Sequence, residues 1–164
     1  MQLEELFDYK NQFMSGILTN PEIVRLIDEN VSVENAEELV YKNVFPLEYL
    51  PETLSDGRTF VCIDVDVQSS VSKTFLIPII YVWVFSHRSR LRLPEGGVRI
   101  DKLCSEICKE MNGSRLYSLG ELNLSSIKRF APVTDYQGRM MTFIGKEFNR
   151  QFDGNKYTPS NRKR

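Results

Sequence analysis

Apolar residues recur at helical spacing along the first forty residues. The recurring positions are Leu3, Leu6, Phe7, Met14, Ile17 and Leu18, which predict an amphipathic helix over residues 2–19. Asn20 and Pro21 predict the start of a second short helix, because Asn is a good N-cap and Pro fits the first helical position. Ser32 is the candidate N-cap of a third short helix. We therefore expect three helical pieces before any strand.

The middle of the chain predicts a long hairpin after an extended stretch over residues 43–58. Residues 60–67 alternate between apolar and polar side chains, residues 68–73 are a polar loop, and residues 74–85 predict a second strand. That strand is apolar on both faces, so both faces must be covered. One face carries Leu76, Pro78, Ile80, Val82 and Val84, and the other carries Phe75, Ile77, Ile79, Tyr81, Trp83 and Phe85. Pro78 cannot donate to a ladder, which predicts an edge or a bulge.

The remainder predicts one strong helix and two strands. An apolar stripe defines a helix over residues 98–112, and Asn112-Gly113 is its expected C-cap. Residues 116–130 are expected to be extended, residues 135–138 to form a turn, and residues 139–148 to form the last strand. The predicted fold class is α+β: a mixed or antiparallel sheet with a long β-hairpin, one major helix packed on it, and a helical N-terminus. We expect one domain over residues 1–150 and a disordered basic tail over residues 151–164.

Composition narrows the classes of partner. The chain has 164 residues, 21 basic and 22 acidic side chains, and a net charge of −1, so charge predicts neither a nucleic acid nor a membrane partner. Its three cysteines are an odd number, which favours free thiols in a reducing compartment. The acidic N-terminus does not resemble a signal peptide. A spanning helix needs about 20 apolar residues, and the longest apolar run, residues 75–85, is shorter.

Four sets of residues are candidates for chemistry, and each has a simpler structural explanation. The candidates are His87, the pair Asp64 and Asp66, the pair Cys104 and Cys108, and Gly96-Gly97. His87 is a weak candidate for a catalytic triad, because no serine or cysteine in the sequence lies in a nucleophile-elbow motif. The carboxylates could bind a divalent cation, but an alternating strand needs a polar side. The cysteines lie on an apolar stripe without a second pair for zinc, and the glycines lack the P-loop lysine. We expect no enzyme activity, no metal site and no cofactor.

Two basic segments are candidates for docking or phosphate contact. Arg88, Arg90 and Arg92 alternate, so in an extended segment their guanidinium groups share one side. The C-terminal Arg162, Lys163 and Arg164 could form a docking arm. A plain solvated surface is the preferred explanation for both segments. A small protein- or nucleic-acid-binding module stays open as an alternative, as does a small hydrolase or nuclease using Asp64 and Asp66.

The apolar surface of the second strand exceeds what one long helix can cover. Its second face needs either the N-terminal helices or a neighbouring subunit, which favours an obligate oligomer. The predicted subunit interface consists of Phe75, Ile77, Ile79, Tyr81 and Trp83. The hairpin tip predicted to touch a neighbour consists of Ser69, Ser70, Val71, Ser72 and Lys73.

The order of elements resembles the tail-terminator proteins of long-tailed phages and related small neck proteins. The likeness lies in residues 41–46 (YKNVFP), the hairpin 60–85, the helix 98–112, and residues 128–133 (KRFAPV) and 143–149 (FIGKEFN). This resemblance implies a homohexameric ring, without catalytic residues, that caps the tail tube and joins it to a head-side connector or stopper. It also implies assembly in the host bacterial cytoplasm and a place in the virion neck.

The same resemblance also implies which other molecules the ring would contact. A sheath or collar protein is a further partner, and DNA passes through the ring without specific binding. No membrane partner is implied. The longer helical N-terminus and the basic tail depart from the family pattern, so a stopper or collar protein is the alternative within the neck.

Overall fold

The computed structural model describes residues 5–50, 57–70, 74–115 and 120–148. The helices are α1 (Leu6–Leu18), α2 (Pro21–Ile27), a 3₁₀ segment (Val33–Leu39) and α3 (Arg99–Met111). The strands are β1 (Val44–Phe45), β2 (Thr59–Ser69), β3 (Phe75–His87), β4 (Asn123–Phe130), β5 (Tyr136–Ile144) and β6 (Glu147–Phe148). The predicted α+β class is confirmed. Residues 151–164, the predicted tail, lie outside the described residues.

The N-terminal helices begin where local chemistry favours them. The Asn20 side chain accepts hydrogen bonds from the backbone N–H groups of Glu22 and Ile23 at 2.9 and 3.3 Å, and Pro21 occupies the first turn of α2. Ser32 makes no side-chain cap, and the third piece is 3₁₀ rather than α. Ser32 does occupy the N-cap position of the third piece, as predicted, but its side chain contributes no capping hydrogen bond.

The strands form one mixed sheet in the order β1-β2-β3-β5-β4, with β6 also paired to β3. The β1–β2 pair is parallel, and every other pair is antiparallel. The β2–β3 hairpin pairs without a break from Thr59 opposite Ser86 to Ser69 opposite Leu76. It is longer than predicted, because Gln68 and Ser69 belong to β2 rather than to the polar loop.

Pro78 lies in the central strand, so of the two predicted positions, an edge or a bulge, the edge is wrong. The N–H of Gly145 donates to the Pro78 carbonyl at 2.9 Å, which turns the proline toward β5 and β6. The reciprocal bond cannot form because proline has no N–H. The ladder is interrupted at this point, between the end of β5 and the start of β6. The sheet thus accommodates the missing donor at a break in the neighbouring strand.

Three further boundaries differ from those predicted. The strand β5 starts at Tyr136, so the turn predicted over residues 135–138 lies earlier: the Tyr136 N–H donates to the Val133 carbonyl at 3.2 Å, and Asp135 within this turn has a φ of 72°. The strand β4 starts only at Asn123, and residues 116–119 lie outside the described residues. Arg88–Arg90 form a 3₁₀ turn instead of an extended segment. The helix predicted over residues 98–112 is confirmed as α3.

The helices cover one face of the sheet, called here the covered face. Between helices and sheet lies the main hydrophobic core, whose members are almost inaccessible to solvent. Representative fully buried residues are Ile17 of α1, Ile27 of α2, Leu103 of α3, Ile80 of β3 and Phe143 of β5. The opposite side, called the open face, has no helix of the described chain over it.

Candidate functional site: the open face of the sheet

The outer half of β3 presents an apolar strip on the open face. Phe75, Ile77, Ile79 and Tyr81 are half-buried there, whereas the alternating residues between them point into the core and are buried. We call these four residues the apolar strip. Ile144 of β5 lies directly opposite Ile79 and is 36% exposed, which widens the strip. A run of large apolar side chains therefore stays partly in water.

The inner half of β3 is sheltered by an aromatic cluster on the same open face. The cluster consists of Phe45, Phe60, Cys62, Trp83, Phe85 and Tyr136. The rings of Phe60 and Phe85 stack with centroids 5.2 Å apart, and Trp83 is only 9% exposed. Four of the five predicted interface residues thus lie in the strip, while Trp83 is covered by its own chain.

Polar side chains border the strip along β2. Asp64 lies opposite Tyr81 and Asp66 lies opposite Ile79. Burial, followed by the nearby Asp66 carboxylate, raises the pKa of Tyr81. The Asp64 carboxylate forms an ion pair with Lys10 of α1 at 2.5 Å and accepts a hydrogen bond from the Val65 N–H at 2.8 Å.

These contacts bear on the metal hypothesis for the two carboxylates. Lys10 supplies the positive charge that a bound cation would supply beside Asp64. Within the described ranges no group of three or more potential metal ligands converges. The two aspartates are better explained as the polar border of the strip.

On its other side the strip is bordered by β5 and the segment that follows it. Thr142 lies opposite Tyr81. The Lys146 ammonium lies 4.4 Å from the centroid of the Phe75 ring, which is a cation–π distance. The strip is therefore framed by acidic side chains along β2 and by a cationic side chain beyond β5.

The two outer edges of the sheet remain open over part of their length. The short strand β1 pairs only with Val61 and Cys62, so from Val65 onward β2 has no outer partner among the described strands. The strand β4 forms the opposite edge. The Asn112 side chain accepts from the Leu124 N–H at 2.8 Å, which covers the start of β4 but not its later residues.

The hairpin tip is described only in part. Ser69 ends β2 and is exposed. The Ser70 N–H donates to the Phe75 carbonyl at 2.9 Å, and the Ser70 hydroxyl accepts from the Phe75 N–H at 3.1 Å. Val71, Ser72 and Lys73 lie outside the described residues. The contact of this tip with a neighbour stays a prediction.

His87 caps the 3₁₀ turn that follows β3. Its Nδ1 accepts from the Ser89 N–H at 3.3 Å and lies 2.7 Å from the Ser89 hydroxyl. The ring also packs edge-on against Tyr136, with centroids 5.3 Å apart. Because the two partners are only two residues apart, this serine–histidine contact is a local cap.

The arginine run does not form the shared basic side that the alternation predicted. Within the 3₁₀ turn, Arg88 and Arg90 do not project to one side, so that prediction is wrong. Arg88 instead forms an ion pair with Asp135 at 3.1 Å, and the Arg90 carbonyl accepts from Arg99 Nε at 2.8 Å. Arg92 is exposed in a bridge with Val98. Arg162, Lys163 and Arg164 lie outside the described residues.

The cysteines are free thiols in packing positions. Cys62 and Cys104 are buried and Cys108 is half-buried. Burial raises the pKa of Cys62 and of Cys104 to about 12, which disfavours the thiolate that zinc binding requires. Gly96 and Gly97, with φ of 98° and 87°, form the turn that leads into α3.

Comparison with known proteins identifies a family for most of the chain. A family model described as YomW matches residues 20–144, which include α2, α3 and most of the sheet. None of the curated proteins matches the chain. Among the described helices, none is long and apolar enough to cross a membrane.

Proposed function

The chain belongs to the YomW family, which is phage-derived, and from this premise we propose that it is a structural subunit of the phage virion. The specific proposal is a tail terminator: a hexameric ring that caps the tail tube and joins it to the head-side connector or stopper. Its place would be the neck of the virion, where DNA passes through the ring.

The observation that carries the proposal is the half-buried apolar strip along the outer half of β3 on the open face. Large contiguous apolar patches on soluble proteins usually mark sites of association. Phe75, Ile77 and Ile79 gain stability by leaving water, at roughly 25 cal/mol for each Å² of apolar surface buried. A neighbouring subunit laid against this strip would provide that burial.

The order of elements supports the same proposal. Helices precede the extended segment at β1, the long β2–β3 hairpin follows, and then come α3, β4 and β5. This is the order on which the resemblance to tail-terminator and neck proteins rests. The mechanism is physical: a closed ring matches the end of a growing tube on one side only, so it stops polymerisation without any chemical step.

The proposal is tested by mixing the purified chain with polymerising tail-tube protein from the same phage. We expect the wild-type chain to bind tube ends and to stop elongation, as counted by electron microscopy. Ile79→Asp puts a charge into the strip and should abolish both ring formation and capping. Val33→Asp is the matched control, because Val33 is 37% exposed in the 3₁₀ segment, away from the sheet.

The variants must keep their fold for this test, which circular dichroism checks. Tubes that keep growing in the presence of the folded wild-type chain would contradict the proposal. A chain that binds a tube already capped by another protein, and not a bare tube, would identify a stopper or collar instead.

A further inference from the structure

The two open edges of the sheet carry opposite charges. Asp64 and Asp66 project from β2, and Asp66 is exposed. Lys128 and Arg129 are exposed on β4, at the opposite edge, and neither forms an ion pair within the described part of the chain. Lys128 lies opposite Met140, which lies opposite Trp83, so Lys128 and the two aspartates share the open face. The acidic edge and the basic edge therefore flank the same surface.

Strand direction makes these edges compatible. The pairs β2–β3, β3–β5 and β5–β4 are all antiparallel, so β4 runs opposite to β2. In copies related by rotation about a ring axis along the strands, β4 of one copy would meet β2 of the next in antiparallel orientation. This is the favoured orientation for adding a strand across two chains.

Charge then selects among the ways in which two edges could meet. Pairing β2 with β2 would bring the Asp66 carboxylates of two copies near each other, and pairing β4 with β4 would bring two Lys128 ammonium groups together. Like charges directly across a strand pair are destabilising. Only the pairing of β4 with β2 brings opposite charges together, and such a heterologous contact can repeat until a ring closes.

We propose that the β4 edge of one copy, from Ser126 to Phe130, docks on the β2 edge of the next copy, from Val65 to Ser69. The proposal rests on the proposed ring and names the contact that closes it. The apolar strip lies one strand inward from β2, roughly 5 Å from it. A neighbour docked at this edge therefore reaches toward the strip as well.

The β2 edge carries a feature that limits pairing with other chains. The Asp64 carboxylate occupies the Val65 N–H and is itself held by Lys10 of α1. A charged side chain that occupies a backbone N–H in this way protects an edge strand from indiscriminate pairing. Val67 and Ser69, farther out, have no such cover in the described structure, so within the proposed docking edge the backbone hydrogen bonds to the neighbour begin at Val67.

A charge-swap experiment tests this contact. Asp66→Lys and Lys128→Glu should each weaken self-association by about tenfold or more, and the double variant should recover most of it. Sedimentation of the full-length chain measures the effect. Glu38→Lys is the matched control, because Glu38 is exposed on the 3₁₀ segment without an ion pair in the described chain, and it should sediment like the wild type. If both single charge-reversal variants associate as strongly as the wild type, the edge contact is wrong, whereas the proposed ring is not contradicted.

Cross-linking gives a second readout that does not depend on affinity. Gln68→Cys on β2 and Ser126→Cys on β4 are combined in a Cys108→Ser background, and a short bis-maleimide links thiols that come together. A heterologous contact gives a ladder of species with the double variant and none with either single variant. Dimers from a single variant would show that like edges meet. A double variant that assembles but gives no cross-link would also overturn the edge contact, whereas tube capping tests the proposed function separately.

Discussion

The two faces of the sheet are equally apolar along β3 but differ in what covers them. Ile80 is inaccessible under the helices, whereas its neighbour Ile79 is half-buried on the open face. The same residue type, one position apart in one strand, is therefore in the core on one side and partly exposed to water on the other. Alternation in a sequence thus indicates which residues share a face, but the covering elements decide which face completes the fold.

The largest difference between the two faces is expected when a buried side chain on the covered face is truncated. Ile80→Ala removes fully buried methyl groups and should lower the free energy of unfolding by about 4 kcal/mol. The matched Ile79→Ala on the open face should cost the protomer only about 1 kcal/mol, because that side chain is already partly in water. Urea denaturation of both variants below the association threshold measures the difference. Equal losses would contradict the contrast between the faces.

Gly138 of β5 tests how tightly the sheltered half of the open face is packed, because it lies opposite Phe85 of the aromatic cluster. A Cβ at this position would lie 2.2 Å from the Val84 carbonyl oxygen and 2.5 Å from the Phe85 Cβ. Gly138→Ala should therefore cost about 3 kcal/mol through forced movement of β3 against β5. Thermal unfolding measures the loss of stability. Gly96→Ala is not a suitable control, because the φ of 98° at Gly96 would strain any residue with a Cβ. A neutral Gly138→Ala would show that the aromatic cluster is loosely packed.

Arg99 tests the polar side of the covered face. Its buried guanidinium donates to the Arg90 and Leu26 carbonyls at 2.8 and 2.9 Å and pairs with Glu29 at 2.5 Å. Arg99→Met would leave the two carbonyls without this donor and should cost about 2 kcal/mol. Arg99→Lys should recover only part of this, since an ammonium cannot reach all three partners at once. A stable Arg99→Met protein would show that water replaces the guanidinium.

The smallest expected effect is electrostatic and lies far from the open face. Hydrogen bonds from Arg25 and then Lys102 lower the pKa of Glu22 from 4.5 to about 2. Because the folded-state pKa is the lower one, this stabilisation is present above about pH 4.5 and is lost as the pH falls toward 2. The groups are about one-third exposed, so solvent screening reduces it to about 0.5 kcal/mol.

Unfolding measured along that pH range, for the wild type and for Glu22→Gln, checks this prediction. The variant should lose less stability between pH 4.5 and 2 than the wild type, and salt should shrink the difference. Identical pH profiles would show that the Glu22 contacts contribute nothing to the fold.

Local patterns predicted the elements that depend on local physics. The stripe of α3, the Asn20–Pro21 start of α2 and the alternation of the hairpin all appear in the structure. The shelter over part of the open face could not be predicted, because it depends on contacts between residues that are distant in sequence. Phe45, Phe60 and Tyr136 shelter half of the open face, and periodicity says nothing about their meeting.

The same limit applies to the errors around β3 and to the candidate site. The missing donor of Pro78 is visible in the sequence and predicts an edge or a bulge, whereas the position of the break beside it in the neighbouring strand is not visible there. Arg99 carries no sequence signal that separates it from an exposed helix-start arginine. The strip itself was predicted correctly as an apolar face, yet its division at Trp83 into open and sheltered halves required the tertiary structure.

The mass of the assembled particle, compared between the wild type and Ile79→Asp, tests the central claim most directly. The protomer has a mass of 19.1 kDa. We predict that the wild type, alone or on tube ends, forms one discrete species near six protomer masses, and that folded Ile79→Asp stays at one. A wild-type chain that remains a monomer both in solution and on tube ends, or an Ile79→Asp chain that assembles equally well, would contradict the claim that the open face is completed by another copy.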